Sequence, residues 1–377
     1  MKFSKVIDLE DFSSHELFPY LQELAEREMA TFGIETPHII PDSKNWETAM
    51  ALYAFDKSNL LKEGKIFAGI GAGTEILTEL LANKGSIVFP VDRYLEHTDW
   101  SDVAPSGYMI DASAYARQPM HTGNIIPVHS DARALDLPSN FFDGIYSSGS
   151  IEHFGGLDGV EAAAVEMGRI LKPGGIASIS TEFWLDGPEH LPWFDDNCIL
   201  FTPELLERHI TQPSGLIPIG TPDNRPSPKT FETRKILREF LTEEKNIRTC
   251  KDKIHAYPNL ILFHEGFLFC SVHMLLKKPL NWEPLSSAVS KVDHFRKIAK
   301  VHNHKAIKEL THFLNAHSHQ PPLSKTDTTL YKKKWISKIL ISINKFVRNR
   351  PRLKYFIIKN LNRFPKIKSF LRRKINT

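Results

Sequence analysis

One short stretch constrains this chain more than any other. GIGAGTE (69–75) follows the apolar run KIFAGI (65–70) and leads into TEILTELLANKG (74–85), which has helical spacing and a glycine stop. A strand that breaks into glycines and re-forms as a helix brings backbone N–H groups close to a ligand. The helix N-terminus favours negative charge there. A dinucleotide fingerprint needs GxGxxG, and the pattern fails because Gly69 and Gly71 are followed by Thr74 at the last glycine position. A phosphate P-loop needs GK[ST], which is absent. Seventeen residues past Glu75, Asp92 ends the run SIVFPVD (86–92), where a carboxylate can accept both ribose hydroxyls of a nucleoside.

The same rhythm continues down the chain. NIIPVHSD (124–131), DGIYSS (143–148) and IASIST (176–181) read as strands, and LDGVEAAAVEMGRIL (157–171) as a helix closed by KPGG. Strands alternating with helices predict an α/β, doubly wound parallel sheet with right-handed crossovers. NLILFHEGFLFCSVHMLLKK (259–278) predicts two antiparallel strands around His264-Glu265-Gly266. Leu17, Leu21, Leu24 and Met29 space a helix that ends at Gly33, and a second helix near Ser43 carries Trp46, Met50 and Tyr53. Thr202 and Pro203 start another. Residues 213–228 and 320–329 read as loop and linker, and 286–316 as helix.

Taken in order, these residues resemble the class I S-adenosylmethionine-dependent methyltransferases, of type 11-like pattern, over roughly residues 43–280. GIGAGT stands at the family's glycine-rich motif, and SDARALDLP (130–138) at the adenine loop. FFDGIYSSGSIEHF (141–154) stands at the fourth strand, and RILKPGGIASIS (169–180) at the following helix, turn and strand. The resemblance implies a Rossmann-like seven-stranded sheet ending in the antiparallel hairpin, with S-adenosyl-L-methionine as cofactor. It implies a cofactor site of Gly69, Gly71, Ala72, Gly73, Thr74, Glu75, Asp92, Arg93, Asp131, Ala132 and Ser148. Two departures stand out. The family often carries an acid two positions before the motif's first glycine, to bind the ligand's amino group, and here that position is Gly69. Glu75 replaces the motif's last glycine and is a candidate substitute carboxylate, or else an acid stabilising the helix dipole. WETAM, GAGTE, SIEHFGG and TEFWLDG also resemble bacterial methyltransferases encoded with surface-polysaccharide genes.

Methyl transfer needs an aligned nucleophile and, for a hydroxyl, a proton acceptor. His153 and Glu182, after the fourth and fifth strands, are the catalytic candidates. Trp46, Phe183 and His190 are the acceptor-binding candidates, with Trp184 and Trp193 as further aromatics. His190, Asp195 and Asp196 have no fixed metal-ligand spacing, and no metal is expected. Histidines 302, 304, 312, 317 and 319 fall on a polar helical face and linker.

Charge divides the chain. Residues 331–377 hold 16 Lys and Arg and no acid, leaving 32 basic against 44 acidic residues elsewhere. Ile336, Ile339, Leu340, Ile343, Phe346 and Val347 share one helical face there. A basic amphipathic tail suits an anionic membrane surface. RNA binding, or packing on the acidic body, are the alternatives. The organisation expected is a helical lead-in (1–42), a methyltransferase domain (43–280), a helical extension and linker (281–330) and the tail (331–377). Three scattered cysteines, an acidic start and no apolar run of roughly 18 residues predict a cytoplasmic protein, peripheral at the inner membrane face. The expected acceptor is a small molecule or glycan, methylated on oxygen. RNA methylation is a rival, although SSGSIEHF replaces a [DN]PP[FYW] motif and no cysteine falls in a motif loop. A non-catalytic, membrane-tethered protein of this fold is the other.

Overall fold

The computed structural model describes residues 1–32, 39–96, 98, 100–116, 121–187, 193–194, 198–247, 252 and 256–317. The basic segment 331–377 and His190 lie outside them. The chain divides into two units, Met1–Glu309 and Leu310–Thr377. The first holds all the sheet, so it takes in the 1–42 lead-in as well as the 43–280 segment.

The spine consists of β2 (Ile66–Ile70), β3 (Ile87–Asp92), β4 (Val128–His129), β5 (Phe142–Ser148), β6 (Leu171–Trp184), β11 (Leu262–His264) and β12 (Phe267–Lys277). Their order is β11-β12-β6-β5-β2-β3-β4. The strands from β6 to β4 run parallel, and β12 is antiparallel to both β6 and β11. Glu265 and Gly266 close the hairpin with φ of 48° and 95°. Two residues of positive φ make a tight turn whose twist matches the strands.

The sheet is ten-stranded rather than seven-stranded. Three two-residue strands extend it: β1 (Lys5–Val6) and β9 (Ile217–Pro218) pair with β12, and β10 (Lys235–Ile236) pairs with β11. A pair of residues carries no periodicity for a sequence to show. The run 124–131 shrinks to β4 for a different reason: it is apolar enough for a strand, but its pairing with β3 is interrupted, Ile125 bridging Val88 alone and Val128 and His129 pairing with Val91 and Asp92. A separate two-stranded sheet joins β7 (Trp193–Phe194) to β8 (Ile199–Leu200).

Helices α1 (Phe18–Phe32), α2 (Ser43–Lys57), α3 (Ile76–Asn83), α4 (Gly156–Ile170) and α5 (Ser286–His317) cover the sheet or extend from it. Right-handed crossovers leave β2 and β5 in opposite directions, which sets α3 and α4 on opposite faces. The sheet therefore has its switch point between β2 and β5, and ligands of such sheets bind at the carboxyl ends there. α2 is buried from Trp46 to Phe55 and packs across β5, β6 and β12. Asp42 caps it by accepting from the Lys44 N–H at 2.8 Å. Among the described residues no helix is long and apolar enough to cross a membrane.

Candidate active site

The glycine turn is held by β3. Gly71 and Ala72 donate their N–H groups to the Val91 carbonyl at 2.9 and 3.2 Å. Gly73 donates to Asp92 Oδ2 at 2.9 Å, and Arg93 N–H to Oδ1 at 2.7 Å. Gly71 and Gly73 have φ of 68° and 47°, which side chains rarely adopt, and a Cβ on Gly73 would lie 2.5 Å from the Val103 carbonyl oxygen. Tyr94 donates its hydroxyl to the Gly73 carbonyl at 2.6 Å. Asp92 is half-buried with lone pairs to spare; burial lifts its pKa, and the two backbone N–H bonds oppose the rise. Thr74 is half-buried at the turn's exit, and Arg93 turns its guanidinium to Glu96.

Gly69 has a steric reason. A Cβ there would sit 2.3 Å from Tyr146 Cζ. The Tyr146 hydroxyl is 2.5 Å from Thr78 Oγ1, and the ring is fully buried. A phenol thus fills the volume that an acid at position 69 would use. Glu75 stands at the N-cap position of α3 without capping it, and its Oε2 is buried with no hydrogen-bond partner. Burial raises the Glu75 pKa well above the carboxylate range, against a smaller opposing pull from Lys44.

Beyond β4, Asp131 is buried and clamped by Arg133, whose Nε donates to Oδ1 at 2.9 Å and Nη2 to Oδ2 at 2.7 Å. Burial would raise Asp131, but Arg133 outweighs it and holds the carboxylate ionised. Ala132 beside it is half-buried, as is Ser148 at the end of β5.

The loop after β5, the last residues of β6 and the first turn of α2 bring five groups together; Glu182, expected after its strand, lies within β6 opposite Ser271 of β12. Glu152 Oε2 accepts from Thr181 Oγ1 at 2.9 Å, and Glu47 accepts from Ser271 Oγ at 2.5 Å and from Lys44 Nζ at 3.0 Å. Glu47 and Glu152 are buried and Glu182 is half-buried. His153 Nε2 lies 3.9 Å from Glu152 Oε1, and its ring lies against Trp100 with centroids 4.6 Å apart. Burial raises both Glu152 and Glu182, and Glu152 raises Glu182 further. Burial alone would lower Lys44, but Glu47, Glu182 and Glu152 outweigh it and keep the ammonium charged. The Lys44 side chain is 63% exposed, so the ammonium faces solvent rather than the core.

Residues 68–179 match the family model described as a methyltransferase domain. The chain carries a methyltransferase domain. A search of curated protein sequences finds no match. Similar solved structures include the Burkholderia thailandensis 1,6-didemethyltoxoflavin-N1-methyltransferase with bound 1,6-didemethyltoxoflavin and S-adenosylhomocysteine, at 14% identity over 63% of this chain and 79% of that one, TM-score 0.39. A putative sarcosine dimethylglycine methyltransferase from Galdieria sulphuraria has 15% identity over 63% and 85%, TM-score 0.40. Geranyl diphosphate C-methyltransferase from Streptomyces coelicolor A3(2) has 15% identity over 69% and 98%, TM-score 0.38.

Two acceptor candidates are elsewhere. Trp46 is wholly buried, donates Nε1–H to Asp11 at 2.8 Å and meets His273 edge-on, so it offers no stacking face. Phe183 points into the main core, because strand alternation sends it opposite to Glu182. His302 also departs from a purely solvated role, lying 3.4 Å from Glu96 Oε2. Sequence reasoning missed Lys44, Glu47, Glu152 and Tyr146. A signal existed for the first two: Lys44 and Glu47 stand three apart at the start of α2, a spacing that brings opposite charges together on a helix.

Proposed function

We propose that the methyltransferase methylates a hydroxyl oxygen of a sugar or lipid-linked glycan at the cytoplasmic face of the membrane. The observation that carries the oxygen chemistry is Glu182. It is a half-buried carboxylate of raised pKa, within electrostatic reach of Glu152, Lys44 and His153 at the carboxyl end of the sheet.

The residues present fit the cofactor. Asp92 would accept from the ribose hydroxyls, with the Gly71–Gly73 turn against the cofactor's chain. The buried, unpartnered Glu75 oxygen suits an ammonium that Gly69 cannot serve, and Lys44 suits its carboxylate. When bound, S-adenosylmethionine supplies a methyl group on a sulfonium, already activated. Glu182 would take the proton of an acceptor hydroxyl that receives this methyl group, the products being a methyl ether and S-adenosylhomocysteine. His153, held against Trp100, is the second candidate for the proton. Three carboxylates around one lysine favour an uncharged sugar over an anionic one at the reacting centre.

The membrane part rests on residues 331–377, with 16 basic residues, no acid and a recurring apolar face. The polysaccharide part rests on the motif resemblance. The test compares glycans and lipids by mass from cells with and without the gene. A 14 Da loss on a glycan or glycolipid supports the reading, and a loss confined to RNA overturns it. Deleting 331–377 should abolish sedimentation with anionic vesicles and leave cofactor binding intact.

A further inference from the structure

Helix α5 lies well beyond the matched segment, yet it touches the adenosine side of the site twice. The first contact runs through Arg133. Its guanidinium clamps Asp131, reaches the Phe154 carbonyl at 3.5 Å and lies over the Phe295 ring at 4.3 Å. Around it, Ala288, Val292, Phe295 and Ala299 of α5 close a separate apolar cluster with Ala134, Ala162 and Val165. Arg296 is 3.6 Å from Glu166, which accepts the Leu135 N–H at 2.7 Å in the same loop. The second contact runs through Arg93. His302 Nδ1 lies 3.4 Å from Glu96 Oε2 and 3.5 Å from Arg93 Nη2, and Arg93 adjoins Asp92. Asp131 is therefore clamped by an arginine side chain that meets α5, and Asp92 accepts the backbone N–H of a second arginine whose guanidinium, turned to Glu96, meets α5 through His302.

We propose that α5 completes the cofactor site. Phe295 and His302 are positioning residues that fix Arg133 and Arg93, and through them Asp131 and Asp92, for the adenosine end of S-adenosylmethionine. The inference rests on the assignment of Asp92 and Asp131 to adenosine. An arginine left without its stacking partner keeps its charge but samples more rotamers, and the carboxylate it clamps loses a defined orientation. The aromatic ring, rather than its bulk, is the operative feature, because a guanidinium is drawn to a π face.

Calorimetric titration of the full chain with S-adenosylhomocysteine tests this, using Phe295→Leu, Phe295→Tyr, His302→Ala and Asp92→Ala. Phe295→Leu should weaken binding about threefold to tenfold while Phe295→Tyr binds as wild type, with both melting close to wild type. That split separates a positioning ring from simple packing. His302→Ala, at an exposed position, should weaken binding about twofold and stands in if the Leu variant does not fold. Wild-type affinity in both Phe295→Leu and His302→Ala, with Asp92→Ala impaired, overturns the inference and leaves the site assignment standing. Wild-type affinity in Asp92→Ala overturns the assignment and the inference with it.

Discussion

Tyr146 occupies the space that a side chain at Gly69 would need. A Cβ at position 69 would come within 2.3 Å of Tyr146 Cζ, which leaves no room for even a methyl group, and the ring is pinned by the 2.5 Å contact to Thr78. The residue that cannot carry an acid is thus fixed by a partner strand, β5. The unpaired acid of the site stands instead at Glu75, at the start of α3.

Gly69→Ala should therefore destabilise the fold by about 1–3 kcal/mol through overpacking. Urea unfolding of the variant measures it. A change below about 0.5 kcal/mol would mean that Tyr146 moves aside freely.

Glu75 links stability to pH. Its folded pKa is raised, so the folded state holds its proton more tightly than the unfolded state does. The contribution is fully present below about pH 4.3, the unfolded value, and is lost as pH rises through the folded value. Glu75→Gln should melt above wild type at pH 8, and the gap should shrink toward pH 5. A gap that widens on acidification contradicts the burial argument.

Glu182→Gln should lower turnover by roughly 10²–10⁴ with cofactor affinity nearly unchanged. Because burial raises its pKa, the wild-type rate should climb with pH through that value, and the climb should vanish in the variant. Retained turnover and an unchanged profile would move proton removal to His153, where His153→Ala repeats the test.

Most of the sheet was legible because βα units announce themselves: GIGAGTE opened a helix, Asp92 ended a strand and Gly266 turned a hairpin. The strand-end placement of the residues proposed for the cofactor was legible for the same reason. Lys44, Glu47 and Glu152 were not, because their meaning comes from three separate elements meeting. Glu152 sat beside His153 in the same motif, but histidine drew attention by its usual pKa while burial had lifted the neighbouring glutamate. Trp46 and Phe183 misled because an aromatic near a motif can face either way, and only packing decides. Tyr146 could be connected with Gly69 only through the pairing of β2 with β5, where Gly69 and Tyr146 stand opposite each other.

The central claim is that Asp92 holds the adenosine end of the cofactor and Glu75 its ammonium. Calorimetry with two probes tests both ends at once: S-adenosylhomocysteine, and 5′-methylthioadenosine, which lacks the amino-acid group. Asp92→Ala should weaken both probes by about 1.5–3 kcal/mol. Glu75→Gln should weaken S-adenosylhomocysteine alone. Undiminished binding of both probes to a folded Asp92→Ala variant, or equal losses of the two in Glu75→Gln, would contradict the account.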